Sequence, residues 1–307
     1  RSSAASDVYK RQGLGGGKDS LVSVELFKKT NLDIATWSLN HKKQLEDLID
    51  KTELRHYQVT REIDKRLIEE NDKGALNGHI PISAILSFAG IVQAILSGRS
   101  DVVVSNEQTA NEPNLEYMGR SINHQYSKSS AYEEDFQEYL KKNYGEGLRY
   151  YSILRPLSEL KIAEIFANNY LDKYLGSFSS CNRAFKLSSE KMSWCGECPK
   201  CAFVYLAFSP FVEKNKLTQL FEGRDLFANQ ELDKTYKELL GIEGIKPLEC
   251  VGEIKESRSA MNLAAMKYPE LRKYIYEVPE NYDYNTLGRD LIPQDIKKYF
   301  VDFMNSL

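Results

Sequence analysis

The segment Gly16-Gly17-Lys18-Asp19-Ser20, running straight into Leu21-Val22-Ser23-Val24-Glu25-Leu26-Phe27, constrains this chain more than any other part of it. The paired glycines give a tight turn, and the residues behind them have the spacing of an amphipathic helix. A kinase-type phosphate loop is excluded, because Ser or Thr would follow the lysine directly and Asp19 stands there instead. The dinucleotide fingerprint also fails. Counting three residues on from the second glycine of Gly13/Gly15 or Gly15/Gly17 reaches Lys18 or Ser20. What remains is a turn whose backbone N–H groups, at the positive end of a helix, suit an anion such as pyrophosphate.

The rest of the first half alternates. Asp33–Ser38, His56–Thr60, Asp101–Ser105 and Leu148–Ile153 read as strands, and Lys42–Asp50, Ile63–Asn71, Ile82–Ser97, Ser130–Tyr144 and Leu157–Asn168 as helices. This predicts a doubly wound α/β domain with a mainly parallel sheet. Ligands in such sheets sit beyond the C-terminal strand ends, so Asn106–Glu112, Asn123–Ser129 and Arg155 fall where site residues belong, although polar loops there also serve simply to cap helices. The leader, Arg1 to Gln12, is polar where an apolar strand should feed the glycine loop. It reads as a non-native leader, which leaves the central strand missing and the fragment expected to be poorly stable. The C-terminal third is helical and more charged, with turns at Gly223, Gly241–Gly244 and Pro279.

With 307 residues, 42% hydrophobic and 28% charged, the chain can bury a substantial core. A net charge of −3 argues against nucleic acid, which calls for a basic face. The apolar stretch Ile80 to Leu96 includes Pro81, Ser83, Ser87, Gly90 and Gln93, falls short of a membrane span, and reads as a buried helix. Without a signal peptide, the cytoplasm is the expected compartment. Nothing in the sequence indicates an oligomeric state.

Four of the five cysteines cluster: Cys181, then Cys195-Gly196-Glu197-Cys198-Pro199-Lys200-Cys201. Two successive Cys-x-x-Cys steps set three thiolates on a tight knuckle, and Cys181 can return as the fourth ligand of a tetrahedral Zn2+ site. Four thiolates leave no position for water, so the role is structural, and such a metal supplies on the order of 10 kcal/mol of folding free energy. The rivals are an iron–sulfur cluster and disulfides, the latter disfavoured in a reducing compartment.

The glycine loop resembles the pyrophosphate loop of the ATP pyrophosphatase (PP-loop) superfamily, Ser-Gly-Gly-x-Asp-Ser, with Gly15 in place of the first serine. Paired with the cysteine knuckle it resembles 7-cyano-7-deazaguanine synthases. The wider wording, namely Gly15 to Ser20, Asn77-Gly78-His79-Ile80-Pro81, Ser105-Asn106-Glu107, Asn111-Glu112, Asn123 to Ser129, Leu154 to Glu159, Trp194 to Cys201 and Lys246 to Glu253, is similar to the UDP-N-acetyl-α-D-muramoyl-L-alanyl-L-glutamate epimerase family from about Gly13 to Glu256. Members of that family carry a further N-terminal region. The resemblance implies an isomerase that inverts the terminal L-glutamate of a UDP-linked muramoyl dipeptide in peptidoglycan precursor synthesis, using ATP and Mg2+ through an acyl-adenylate. It also implies a PP-loop domain over 13–178, and a zinc knuckle with a helical substrate region over 179–307.

Roles follow as expectations from that resemblance. Gly16, Gly17, Asp19 and Ser20 hold the ATP phosphates, with Lys18 offsetting their charge. Asn106 and Glu107 join the nucleotide site, and Asp19 and Glu107 arrange Mg2+ unless they are only cap or loop carboxylates. Arg155, Lys128 and His124 clamp substrate carboxylates or phosphates. Cys250, the thiol left after the knuckle takes four, and His124 are the candidates for proton transfer. The adjacent Glu249 and Glu253 argue against a ready thiolate at Cys250. His79 reads as structural. Two other readings stay open: another AMP-forming PP-loop enzyme of deazaguanine or tRNA modification, and a zinc-stapled binding module that turns over no ATP.

Overall fold

A computed structural model describes residues 10–40, 42–76, 80–113, 115–183 and 191–307. His79, with Asn77 and Gly78, lies outside the described residues, as do residues 1–9. The elements in chain order are β1 (Lys10–Gly13), α1 (Lys18–Lys28), β2 (Ile34–Leu39), α2 (Lys42–Thr52), β3 (His56–Val59), α3 (Lys65–Asp72), α4 (Ile82–Leu96) and β4 (Asp101–Val104). A hairpin of β5 (Leu115–Tyr117) and β6 (Arg120–Ile122) follows, then α5 (Ser130–Tyr144), β7 (Arg149–Ser152), α6 (Glu159–Asn169) and α7 (Leu171–Tyr174). The chain continues through α8 (Pro199–Phe208), α9 (Lys214–Leu220), α10 (Asp233–Leu239), α11 (Ile254–Lys267) and α12 (Gln294–Asn305). No described helix is long and apolar enough to cross a membrane.

Five strands form one sheet in the order β3-β2-β1-β4-β7, every neighbouring pair parallel. The winding direction reverses between β1 and β4, so the loops after these two strands flank the crevice where doubly wound sheets take ligands. The expectation of a missing central strand is corrected here. Lys10 to Gly13 fill that position, with Lys10 opposite Ile34 on one side and Asp101 on the other. A central strand is held by its two backbone ladders, which any residue but proline can form, so a polar sequence does not exclude it. Gln12 is buried there because its amide donates to Ser105 Oγ at 2.8 Å and to the Gly13 carbonyl at 2.9 Å.

Helix α1 is buried nearly all round, with Leu21, Val22, Val24, Leu26 and Phe27 in a core that continues through α6 and α8 into α11 and α12. The cysteine-bearing half therefore packs against the same side of the sheet as the glycine loop's helix. A smaller core of Ile91, Ala94, Val102, Phe136, Leu140 and Tyr150 closes the other side. Helix α4 belongs to this second layer and corrects the expectation of a buried helix. It meets the sheet through Ser87, Gly90, Ile91 and Ala94, while Ile82, Ile85, Phe88, Val92, Ile95 and Leu96 stay exposed. Gly90 makes the approach possible, since a Cβ there would lie 2.9 Å from Val102 Cγ1.

Candidate active site and metal centre

The chain leaves β1 into the glycine loop and turns at Gly16 with φ +85°, a conformation that favours glycine. Gly17 is the N-cap of α1 and is extended. A side chain at Gly17 would run into Ser180, whose Oγ lies 2.8 Å from an ideal Cβ, and Ser179 N donates to the Gly16 carbonyl at 3.0 Å. The segment leading to Cys181 thus backs the loop, and the first N–H groups of α1, which have no acceptor within the helix, are the ones that could serve an anion. Ser20 Oγ donates to the Gly17 carbonyl at 2.9 Å and braces the turn.

Lys18 is turned inward and is 1% exposed. Its Nζ lies 2.5 Å from Asp19 Oδ1 and 3.0 Å from Glu159 Oε1, and Lys200 Nζ approaches that same Glu159 oxygen at 3.4 Å. Burial alone would push the Glu159 carboxyl up, but Lys18 and Lys200 together hold it down at about 2. Burial likewise works against the Lys18 ammonium, and Asp19 and Glu159 outweigh it, so Lys18 stays charged well above the usual lysine range. Burial raises Asp19, with Glu159 adding and Lys18 opposing. Glu107 is raised in the same way by burial, then by Glu159 and Asp19, against Lys128. Asp19 and Glu107 therefore lie in each other's field, a pair whose repulsion a divalent cation would remove.

Arg155 corrects its expected role as a substrate clamp. It is wholly buried, and all three of its nitrogens are engaged within the protein. Nε and Nη2 reach Glu133 Oε2 at 3.1 and 2.8 Å, Nη1 the Glu107 carbonyl at 2.9 Å and Nη2 the Lys128 carbonyl at 2.7 Å. It latches together the loop after β4 and the turn before α5. The Asn106 carbonyl is held similarly, by Ser152 Oγ at 2.6 Å.

Lys128, on the turn before α5, lies in the field of Glu107. Its Nζ donates to Cys250 Sγ at 3.1 Å and to Gln125 Oε1 at 3.1 Å; burial would lower it, but Cys250 and Glu107 outweigh that and raise it. The neighbours expected to act on Cys250 are turned elsewhere, Glu249 accepting from Asn182 at 2.6 Å and Glu253 pairing with Lys255 at 2.6 Å. His124 lies half-buried on the turn just before Lys128. Glu159, Lys200 and Glu256, which join the buried network beside the loop, were not singled out from the sequence. The first two stand inside segments already noted for their wording, between Ser158 and Leu160 and between Pro199 and Cys201. Glu256 carries its own signal, since Glu253 and Glu256 form a capping box at the start of α11.

At the metal centre the four sulfurs lie within 4.8 Å of one another, with Cys181 to Cys198 at 3.9 Å and Cys195 to Cys201 at 3.7 Å. A tetrahedral ion with metal–sulfur bonds of about 2.3 Å needs sulfurs about 3.8 Å apart, so the set fits one ion. A four-iron cluster, with each cysteine on a separate iron, needs more room. Cys198 also caps α8, its Sγ accepting from Cys201 N at 3.4 Å, and Pro199 takes the first helical position.

A parallel α/β sheet with a glycine loop at its switch point, joined through one core to a helical half built around four cysteines, defines a doubly wound α/β protein with a cysteine-bearing helical part. Within that class, residues 7–153 match the MurL N-terminal domain and residues 177–278 the MurL C-terminal domain, and the chain belongs to the MurL family, whose curated relatives carry the name UDP-N-acetyl-α-D-muramoyl-L-alanyl-L-glutamate epimerase. Proteins of that name from a Micromonospora species and from Xanthomonas oryzae pv. oryzae are 40% and 38% identical over 90% and 91% of this chain, and 62% and 63% of their own lengths. One from Salinispora tropica is 43% identical over 81% of the chain and 54% of its own length. The chain thus spans between half and two thirds of these relatives. A solved structure, the U34-tRNA thiolase NcsA from Methanococcus maripaludis with its 4Fe-4S cluster, aligns over 98% of this chain and 81% of its own at 9% identity with a TM-score of 0.36, too distant to bear on function.

Proposed function

We propose that this chain carries the site at which ATP activates the terminal glutamate of UDP-N-acetylmuramoyl-L-alanyl-L-glutamate for inversion to the D-form, releasing AMP and pyrophosphate. The observation that supports this most is the position of the glycine loop, at the sheet's switch point and beside the carboxylates Asp19 and Glu107, in a chain of the epimerase family. A UDP-linked substrate makes the cytoplasm the compartment this reading implies.

The chemistry gives ATP a purpose. Taking the Cα proton next to a free carboxylate builds a second negative charge beside the first. If the carboxylate instead attacks the α-phosphorus and pyrophosphate leaves, the resulting acyl-adenylate is neutral at the carbonyl, and the charge left by the departing proton spreads onto that oxygen. Each pKa unit of acidity gained lowers the proton-transfer cost by up to about 1.4 kcal/mol. After reprotonation on the opposite face, water cleaves the adenylate and returns the acid with AMP.

In this reading the loop N–H groups of Gly16 and Gly17 and the Ser20 hydroxyl bind the phosphates. Asp19 and Glu107 would hold magnesium, which when bound neutralises phosphate charge. Lys18 sits beneath the loop between Asp19 and Glu159, so it fixes the Asp19 carboxylate in place. Cys250 is the leading proton-transfer group, with the Lys128 ammonium donating to its sulfur, and His124 on the same turn is the candidate for the other face. The four cysteines hold a structural zinc ion. Incubation with ATP, magnesium and the L,L-dipeptide nucleotide in deuterated water is expected to yield AMP, pyrophosphate and a dipeptide nucleotide of unchanged composition whose glutamate is inverted and carries deuterium at Cα. ADP with orthophosphate, or nucleotide consumption without Cα exchange, would overturn the reading.

A further inference from the structure

Two short routes join the cysteine centre to the glycine loop. On the first, Cys181 N donates to Ser179 Oγ at 3.0 Å, Ser179 N donates to the Gly16 carbonyl at 3.0 Å, and Ser180 Oγ rests against Gly17. Ser179 Oγ also donates to the Ser193 carbonyl at 2.7 Å, which ties this arm to the strand of chain entering Cys195. On the second, Lys200 stands between the ligands Cys198 and Cys201 in the first turn of α8. Its ammonium lies 3.4 Å from Glu159 Oε1, the oxygen that holds Lys18 at 3.0 Å, and Lys18 directly follows Gly17. Both routes are buried or nearly so, and both reach the loop within one residue of Gly17.

We infer that the metal in the four-cysteine centre shapes the anion loop as well as holding the fold, with Lys200 and Ser180 as the positioning residues that carry its effect to Gly17. The physical reason is stiffness. Metal–sulfur bonds fix the Cys181 arm and the start of α8 relative to each other, whereas four thiols without an ion have no such bond and repel one another once charged. Every relaxation of that pair moves Ser180 and Lys200, and with them the loop backbone and the Glu159–Lys18 contact. The two sites are then coupled, and the coupling is reciprocal: metal tightens nucleotide binding and nucleotide tightens metal binding by the same factor. For contacts this direct we expect about tenfold, within the usual range for coupled sites.

This inference rests on the reading of the loop as an ATP site. The experiment takes the metal-loaded protein and measures metal transfer to a chromogenic chelator at equilibrium, with and without ATP in excess magnesium. ATP is expected to raise the metal's affinity about tenfold. The Lys200→Met variant, still holding one metal per chain, is expected to bind ATP about tenfold more weakly and to lose most of the ATP effect on the metal. Lys234→Met, an exposed lysine on α10, is expected to change neither. If ATP binds and the metal affinity does not move, the coupling is wrong and the proposed function stands. If ATP does not bind at all, both fall. The measurement on the unaltered protein decides the matter even if Lys200→Met fails to fold.

Discussion

Arg155 and Glu133 are each almost fully buried and face one another, so neither charge can be removed alone without cost. Burial raises the Glu133 carboxyl and Arg155 opposes this, so the pair exists by mutual support. Arg155→Met is expected to destabilise the fold by about 3–5 kcal/mol, the range for one stranded partner of a buried pair, as read from urea unfolding. Lys at this position is expected to recover little, because one ammonium cannot serve the Glu133 carboxylate and the Glu107 and Lys128 carbonyls together. Cys250 is the opposite case, a half-buried thiol that accepts from the Lys128 ammonium at 3.1 Å. Cys250→Ser is expected to lower deuterium entry at the glutamate Cα by about 10²- to 10⁴-fold, the usual worth of a positioned acid or base, while ATP affinity holds. A loss of less than threefold would remove Cys250 from the proton path.

At the scale of elements, Glu256 joins three of them. From the first turn of α11 its carboxylate accepts from Thr109 Oγ1 at 2.8 Å in the loop after β4, from Glu159 N at 2.9 Å at the start of α6, and from Glu253 N at 2.8 Å at its own cap. Burial, with Glu253 and Glu159 nearby, pushes it up to about 7 against these donors. Since the folded value lies above the ordinary 4.5, the fold favours the protonated acid. That contribution is fully present below about pH 4.5 and is lost as pH rises through 7, a change of up to about 3 kcal/mol. Between pH 5 and 8, Glu256→Gln is therefore expected to improve relative to the unaltered protein by up to that amount in urea unfolding. A constant difference across this range would show that Glu256 is ionised throughout. Glu159, held at about 2, titrates far below this window and does not confuse the measurement. The elements themselves were largely legible: α5 runs from Ser130 to Tyr144 as its pattern predicts, because Ser129 caps it by accepting from Tyr132 N. The strand β1 was not, because polar residues carry no periodic signal and its place between β2 and β4 is visible only once the sheet is assembled.

For the whole molecule, the cysteine centre shares one core with α1, α6 and α8. A metal contribution on the order of 10 kcal/mol is comparable with the entire stability of an ordinary domain, about 5–15 kcal/mol. Stripping the metal with a strong chelator is expected to lower the melting temperature sharply and to loosen the helical half first, seen as lost near-ultraviolet circular dichroism. A metal-free protein that melts at the same temperature would show that the centre is dispensable to the fold. The glycine turn, the alternation of strands and helices and the spacing of four cysteines were written in local sequence, because turn chemistry, helical period and ligand geometry act over a few residues. The crevice was not. Glu159, Lys200 and the Cys250–Lys128 contact bring together residues 41 and 122 positions apart, and Arg155 turns away from the cleft its strand end suggests. Such pairings depend on how the sheet winds and on which charges meet inside the core, and only the folded chain decides that.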